Sequence, residues 1–444
     1  MAEKKYANTP AETGQAVIST YTITPNGGGE VIKVSNSQNL GGFAELQYFE
    51  SIFDTTIRAT SKIVDVSGPT GGDLNIVDKA KLTSGEKIKI SLQDGYKNKL
   101  DLDLILKNYN YVQDTKGVLV DLNMWSPDMV ENEDTKKRVI KQYEGLISDS
   151  VSDILKNTLG TSLKVDVDTS LGNFTFQGNK ATATPYDQCL WLASRCVPDF
   201  SGAKGKLAGY LLYQTSDSIK FKSIDKLFSE SPKAKFIYNE KVEEAAPPGY
   251  DAKIMDYQFN KSMDIENMMK GGTFSQSESI TVDPYKTKYK EASPFDAITQ
   301  NLKKNNAGKD IPIIAEALDF ANRTFKINMR PLDTGQLKPI DKKKSKEQNL
   351  LPDEIMRQAR ARYNQLNTSN LKIVIPLNVK LHAGDIIEVT FPENKGGKAP
   401  LKLTKRKSGR YMIESLAHKI GLSKMTNTAN TTALTLIRDT EGKK

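Results

Sequence analysis

The side chains that could do chemistry are few. Carboxylates fall close together at Glu50 and Asp54, and again at Glu131 and Glu133. Two carboxylates at a set separation are what glycoside hydrolysis needs, one to protonate the leaving oxygen and one to attack or to activate water. Pairs of this kind occur in any chain with 54 acidic residues, and nothing in the flanking sequence lifts these two above surface charge. The two histidines, His382 and His418, have no partner at a metal-ligand spacing. No zinc or haem site, and no cofactor, is therefore expected. A phosphate-cradling glycine loop and a nucleophile elbow are both missing from the sequence. Packing or strand-end roles are expected for both histidines. Cys189 and Cys196 lie seven positions apart in "TPYDQCLWLASRCVP". On a helix that spacing is about 10.5 Å along the axis, too far for a disulfide, so both read as reduced, buried residues.

The densest charge lies in "AGDIIEVTFPENKGGKAPLKLTKRKSGRYMIESLAHKI", which reads as strand, basic loop, strand. Lys398, Lys402, Lys405, Arg406, Lys407 and Arg410 crowd the loop. Such a loop could meet a polyanion. It holds no aromatic before Tyr411, which opens the next strand, so the stacking platform of a single-strand nucleic-acid binder is missing. Solvated loop cations are the default reading.

The elements that must position these residues are mostly strands. The chain has 444 residues, 38% hydrophobic and 26% charged, with 63 basic residues and a net charge of +9. These values describe a soluble chain of two to four domains with a mild basic excess. No run of 18 apolar residues marks a membrane span. The polar start "MAEKKYANTPAETGQ" lacks a secretory core, so synthesis in a cytoplasm is expected.

Residues 1–39 read as a polar arm with one strand at "AVISTYTI". From 40 to 125, "FAELQYFESIF", "TTIRATSKIVDV", "EKIKISLQ", "LDLDLILKNYNYV" and "KGVLVDLNMW" alternate apolar and polar residues between turn signals. A small β-barrel or sandwich is predicted there. Residues 126–250 read as α+β. One helix is predicted in "SDSVSDILKNTLG", capped by Ser148 and stopped by Gly160. A second begins at Thr184 and Pro185, runs to Pro198, and carries an apolar stripe at Tyr186, Leu190, Ala193 and Val197. The hairpin "GYLLYQT"/"SIKFKSID" follows. Residues 251–290 together with 367–440 read as a second β-barrel. An insertion at 291–366 interrupts it, with a lysine-rich segment at 338–346 and a helix in "PDEIMRQARARYNQL".

The two β regions echo each other. "KLTSGEKIKISL" and "KLHAGDIIEVTF" each place a turn, a glycine, an acid and then apolar residues at alternate positions. Gly85 matches Gly384, Ile88 matches Ile387, Ile90 matches Val389, and Leu92 matches Phe391. Glycine supplies the turn and the alternation sets the buried face. "ATSKIVDV" also resembles "QSESITVDP". The expected fold class is therefore β-rich α+β, with two similar small barrels and inserted α+β segments. Two similar barrels in one chain, repeated three times about an axis, would present six similar faces and could join a sixfold assembly to a threefold one.

The order "ELQYFESIFDTTIRATSKIVDV", "GEKIKISL", "YLLYQTSDSIKFKSIDKLF", "LKIVIPLNVKLHAGDIIEVTFP" and "GRYMIESLAHKI" resembles the baseplate central hub proteins of T-even-type contractile-tailed phages. The final strand pair is also similar to the spike proteins of type VI secretion systems. The likeness runs from about residue 40 to 440. It implies a homotrimer in the virion tail, with residues 40–125 as a tube adaptor. Its implied partners are the tail tube protein, a central spike or tail lysozyme, baseplate wedge proteins, and phage DNA in transit through a bore. It implies no catalysis by this chain, since lysis belongs to the partner. The alternatives are a tail-associated peptidoglycan hydrolase and a DNA-binding module using the Lys398–Arg410 loop.

Overall fold

The computed structural model describes residues 14–34, 41–65, 76–114, 117–172, 174–178, 183–199, 209–238, 246–260, 276–283, 288–291, 307, 325–331, 352–392, 404, 406–421 and 430–440. The lysine-rich segment 338–346 lies outside them.

Alternating sequence becomes alternating burial. The first β region consists of β1 (Ala16–Thr24), β2 (Ile32–Lys33), β3 (Gly41–Ser51), β4 (Arg58–Asp65), β5 (Lys87–Asp94), β6 (Lys99–Asp114) and β7 (Gly117–Trp125). In β5 the side chains of Ile88, Ile90 and Leu92 face inward and are almost fully buried, while the lysines between them face out. Each such apolar side chain contributes about 1.5–3 kcal/mol of burial. Between the barrel regions lie β8 (Gln142–Tyr143), β9 (Lys164–Val167), β10 (Phe176–Gln177), β11 (Tyr210–Gln214) and β12 (Ser218–Ser223). The rest are β13 (Ala234–Tyr238), β14 (Ala252–Ile254), β15 (Asp256–Asn260), β16 (Gln276–Asp283), β17 (Lys288–Glu291), β18 (Phe325–Pro331), β19 (Ser369–Pro376), β20 (Ile386–Thr390), β21 (Gly409–Gly421) and β22 (Thr431–Arg438).

Both β regions belong to one 14-stranded sheet. Its first half runs β1-β5-β6-β7-β4-β3 and its second half runs β13-β20-β21-β22-β19-β15. Each half curls around apolar side chains, and the two interiors merge into one core. The halves join where β3 pairs antiparallel with β21. They are strand-for-strand equivalent along β5-β6-β7-β4-β3 and β20-β21-β22-β19-β15. The equivalence extends to irregularities. A bulge falls at Lys107 between Leu106 and Asn108, and another at Glu414 between Ile413 and Ser415. The outer strands differ. β1 pairs antiparallel with β5, whereas β13 pairs parallel with β20. Among the described residues no helix is long and apolar enough to cross a membrane.

Some local expectations need correction. The strand in "ATSKIVDV" is β4, and its structural counterpart is β19, not β16. The segment "QSESITVDP" forms β16 in a separate three-stranded sheet with β17 and β18. A short alternating pattern sets a face but not a pairing partner. Ser148 does not cap its helix. The helix Ile147–Asp153 starts one residue earlier, and Ser148 donates its backbone N–H to Ser170 Oγ at 3.0 Å. The helix widens into a π-turn over Ile154–Leu159 and stops at Gly160, whose φ of 73° is left-handed. Thr184 does cap the next helix, accepting from Asp187 N at 3.1 Å. That helix covers Pro185–Ala193 and ends well before Pro198. Leu190 is 45% exposed, and Cys189 and Leu192 take the buried face with Tyr186 and Ala193. Both cysteines are free and buried, and burial pushes their thiols up.

Candidate functional site: the seam between the two halves

The two echoed turns are built alike. Gly85 and Gly384 have φ of 88° and 86°. In the first turn, Gly85 N donates to Leu106 O at 2.8 Å, and Leu106 N donates to Glu86 O at 2.9 Å. In the second, Gly384 N donates to Ile413 O at 2.8 Å, and Ile413 N donates to Asp385 O at 2.9 Å. The acid after each glycine closes its own turn. Glu86 accepts from Thr83 N at 2.7 Å, and Asp385 accepts from His382 N at 3.0 Å. Positive φ is what a side chain resists, so glycine is needed at both places. Ile88, Ile90, Leu92, Ile387, Val389 and Phe391 all face the shared core.

The second turn differs because it packs against the first half of the chain. Glu50, near the end of β3, is 2% exposed. Its carboxylate accepts from Tyr48 OH at 2.6 Å, Ser216 N at 3.0 Å, His382 Nδ1 at 3.0 Å and Ala383 N at 2.9 Å. Three remote segments meet on this one side chain: β3, the β11–β12 turn, and the turn into β20. Burial alone would push the Glu50 carboxyl up. The His382 hydrogen bond and charge, with the Tyr48 and Ala383 bonds, outweigh burial and hold it below the ordinary glutamate range. Burial likewise works against a charged His382, but Glu50 wins and raises the imidazole above its usual value. His418, stacked on Tyr48 at 5.8 Å and bonded to Thr432 Oγ1 at 2.9 Å, is pushed down to about 4 by burial.

Two further contacts cross the molecule. Asp94 at the end of β5 accepts from Val379 N at 3.0 Å. Arg362, on the helix Pro352–Gln365, is fully enclosed and bonds Asp225 at 2.8 Å and Asp439 at 2.6 Å. A lone buried guanidinium would be costly, and the two carboxylates compensate it.

Each candidate carboxylate is already engaged by groups of the protein itself. Glu50 is fully engaged by donors, and its lowered pKa is the reverse of what a general acid requires. Asp54 is ion-paired with Arg58. Glu131 pairs with Lys137 at 2.5 Å, and Glu133 accepts from Asn132 Nδ2 at 3.1 Å. A cleft of about 720 Å³ lies along the seam, and both Glu50 and Asp54 line it, with Arg58, Lys107, Trp125 and Thr435. No group of three metal-binding side chains occurs among the described residues.

The basic loop is only partly described. Lys398, Lys402 and Lys405 lie outside the described residues. Arg406 is exposed and its carbonyl accepts from Arg438 at 2.8 Å. Lys407 sits 5.1 Å from the Tyr257 ring centre. Arg410 donates to the carbonyls of Phe228 (at 2.8 Å) and Glu230. Thus Lys407 and Arg410 are held by the protein's own groups. No local sequence signal marks Glu50, His382, Asp94 or Arg362 as joining remote segments of the chain. Their partners lie far away in sequence, beyond any short-range signal.

No protein-family model matches the chain, and no curated protein matches it in sequence. Solved structures do. A tail protein from Neisseria meningitidis MC58 is 10% identical, with a TM-score of 0.50, covering 94% of this chain and 96% of that one. The 43 kDa tail protein of prophage MuSo2 from Shewanella oneidensis is 8% identical, with a TM-score of 0.53, covering 96% and 99%. Along almost its whole length, the chain has the β-rich α+β fold of these tail proteins.

Proposed function

We propose that the chain is a structural hub of a phage tail baseplate. Three copies form a ring that adapts a sixfold tail tube to a threefold central spike and leaves a bore for DNA. The observation that carries this is the internal repeat: two equivalent half-sheets, joined edge to edge through β3 and β21, give each chain two similar faces. A chain so built can meet both symmetries without two separate proteins. The fold shared with tail proteins supports the same reading. Its partners would be further copies of itself, the tail tube protein, the spike or tail lysozyme, and baseplate wedge proteins. It would be made in the host cytoplasm and reside in the virion tail.

The functional role is architectural. Glu50 and Arg362 hold segments together, and neither has a free group to offer a substrate. Light scattering on the purified chain, alone and co-expressed with its spike, tests the proposal. Three chain masses and a ring with a central bore in electron micrographs are expected. A strict monomer under both conditions, or lysis of peptidoglycan by the purified chain, would overturn it.

A further inference from the structure

β21 runs past the end of β20. Its residues Gly409–Met412 pair with β20. Beyond the bulge at Glu414, residues Ser415–Gly421 pair along the same edge with β3. The equivalent strand β6 pairs with β5 over Lys99–Ile105. Beyond its bulge at Lys107, residues 108–114 have no strand on that edge among the described residues. The equivalent of β3 is β15, and β15 pairs with β19 alone among the described residues. Among the described residues, the chain thus carries both halves of a second β3–β21 junction, on opposite flanks, and joins neither.

We propose that the edge of β15 opposite β19 in one chain pairs antiparallel with residues 108–114 of β6 in a second copy. This rests on the self-assembly proposed above and specifies its interface. The register is carried over from inside the chain. Thr60 faces Gln47 and Asn123, and Asn123 faces Asn108. Lys372 faces Gln258 and Thr435, and Thr435 faces Ser415. Gln258 therefore corresponds to Gln47, and Asn108 to Ser415. Within the chain, Phe49, Tyr48 and Gln47 face Ala417, His418 and Lys419. Between chains, Asn260, Phe259 and Gln258 would face Asn110, Tyr111 and Val112.

Surface chemistry agrees with that register. Tyr111 is 53% exposed and Val112 is 65% exposed, on an edge that is a template for a further strand. Tyr111 would meet Phe259 at the position where His418 stacks on Tyr48, extending the ring contact it already makes with Tyr109. The link is head-to-tail, since one chain gives its β15 edge and receives on its β6 edge. Such links close into rings when the rotation per step permits.

Oxidation of the full chain carrying Tyr111→Cys with Phe259→Cys is the test, read on a non-reducing gel. Cys189 and Cys196 are buried and do not compete. Cross-linked species of two and three chains are expected, at least tenfold above Tyr111→Cys alone or Tyr111→Cys with Gln258→Cys. Tyr111→Asp, at an exposed position, should keep the circular dichroism spectrum and reduce the native mass toward one chain. A trimer that forms no 111–259 cross-link overturns this interface and leaves the hub reading standing. A monomer without the cross-link overturns both.

Discussion

The two half-sheets share glycine turns, bulges and strand order, yet they use their long strands differently. In the second half the extension of β21 is covered by β3, so His418 is buried against Tyr48. In the first half the extension of β6 is uncovered among the described residues, and Tyr111 and Val112 face solvent. The turns differ in the same sense. Glu86 closes its turn through Thr83 and Ser84, both its own neighbours. The Gly384 turn has Asp385 inside it, Lys233 on Asp385 at 2.5 Å, and Glu50 of the other half on Ala383. A repeat unit copied within one chain therefore becomes one part that locks the chain together and another whose edge no described strand covers.

Breaking the lock should produce the largest effect. Glu50→Ala leaves three backbone or side-chain donors and His382 without their acceptor. We expect a loss of about 3–5 kcal/mol in urea unfolding. A loss under about 1 kcal/mol would show that the seam does not depend on this carboxylate. Next come the glycines. A Cβ at Gly384 would lie 2.2 Å from the hydroxyl of buried Tyr213, whereas one at Gly85 meets only Asn26 Nδ2 at 3.1 Å. Gly384→Ala should therefore cost about 3 kcal/mol, combining left-handed strain with overpacking. Gly85→Ala should cost about 1–2 kcal/mol from strain alone. Equal losses would mean that Tyr213 moves aside freely.

Smaller changes sharpen the comparison. Glu86→Gln and Asp385→Asn keep an acceptor but remove its charge, and each should lower the unfolding midpoint by about 1 kcal/mol equivalent. Asp385→Asn should cost the more, because it also loses the ion pair to Lys233. The smallest effect is the pH dependence of the Glu50–His382 pair, since His382 keeps 19% of its side chain exposed. His382 is raised, so its contribution is complete below the ordinary imidazole pKa and fades as pH climbs through the folded value. Glu50 is lowered, so its contribution is complete above the ordinary glutamate pKa and fades as pH falls through the folded value. The pair should stabilise most at about pH 5–6. The difference in urea midpoint between wild type and a Glu50→Gln, His382→Gln double variant should peak there, and a flat difference would contradict the pairing.

Much of the fold could be read from short stretches. β4, β5 and β7 alternate apolar and polar residues, and that period marks their buried face, whereas β20 buries Ile386 as well as Ile387, on opposite faces, which no period-2 pattern signals. Gly85 and Gly384 announced their turns because only glycine tolerates that backbone cheaply. The seam was not legible. Glu50 stands 332 residues from His382, and its sequence neighbour Asp54 drew attention to an acid pair that the fold does not use. Helix details failed for a related reason. Leu190 fits an apolar stripe as well as Cys189 does, but the packing of the surrounding strands chose the face with Cys189.

The sequence by itself determined the strands, their inward faces and the two glycine turns, because each depends on residues within one or two turns of chain. Only the tertiary structure decided which edges meet. Backbone edges carry the same donors and acceptors whatever the side chains, so partner choice is set by where the rest of the chain can reach. The two histidines show the same division. They are identical in type, yet contact with Glu50 raises one and burial beside Tyr48 pushes the other down to about 4.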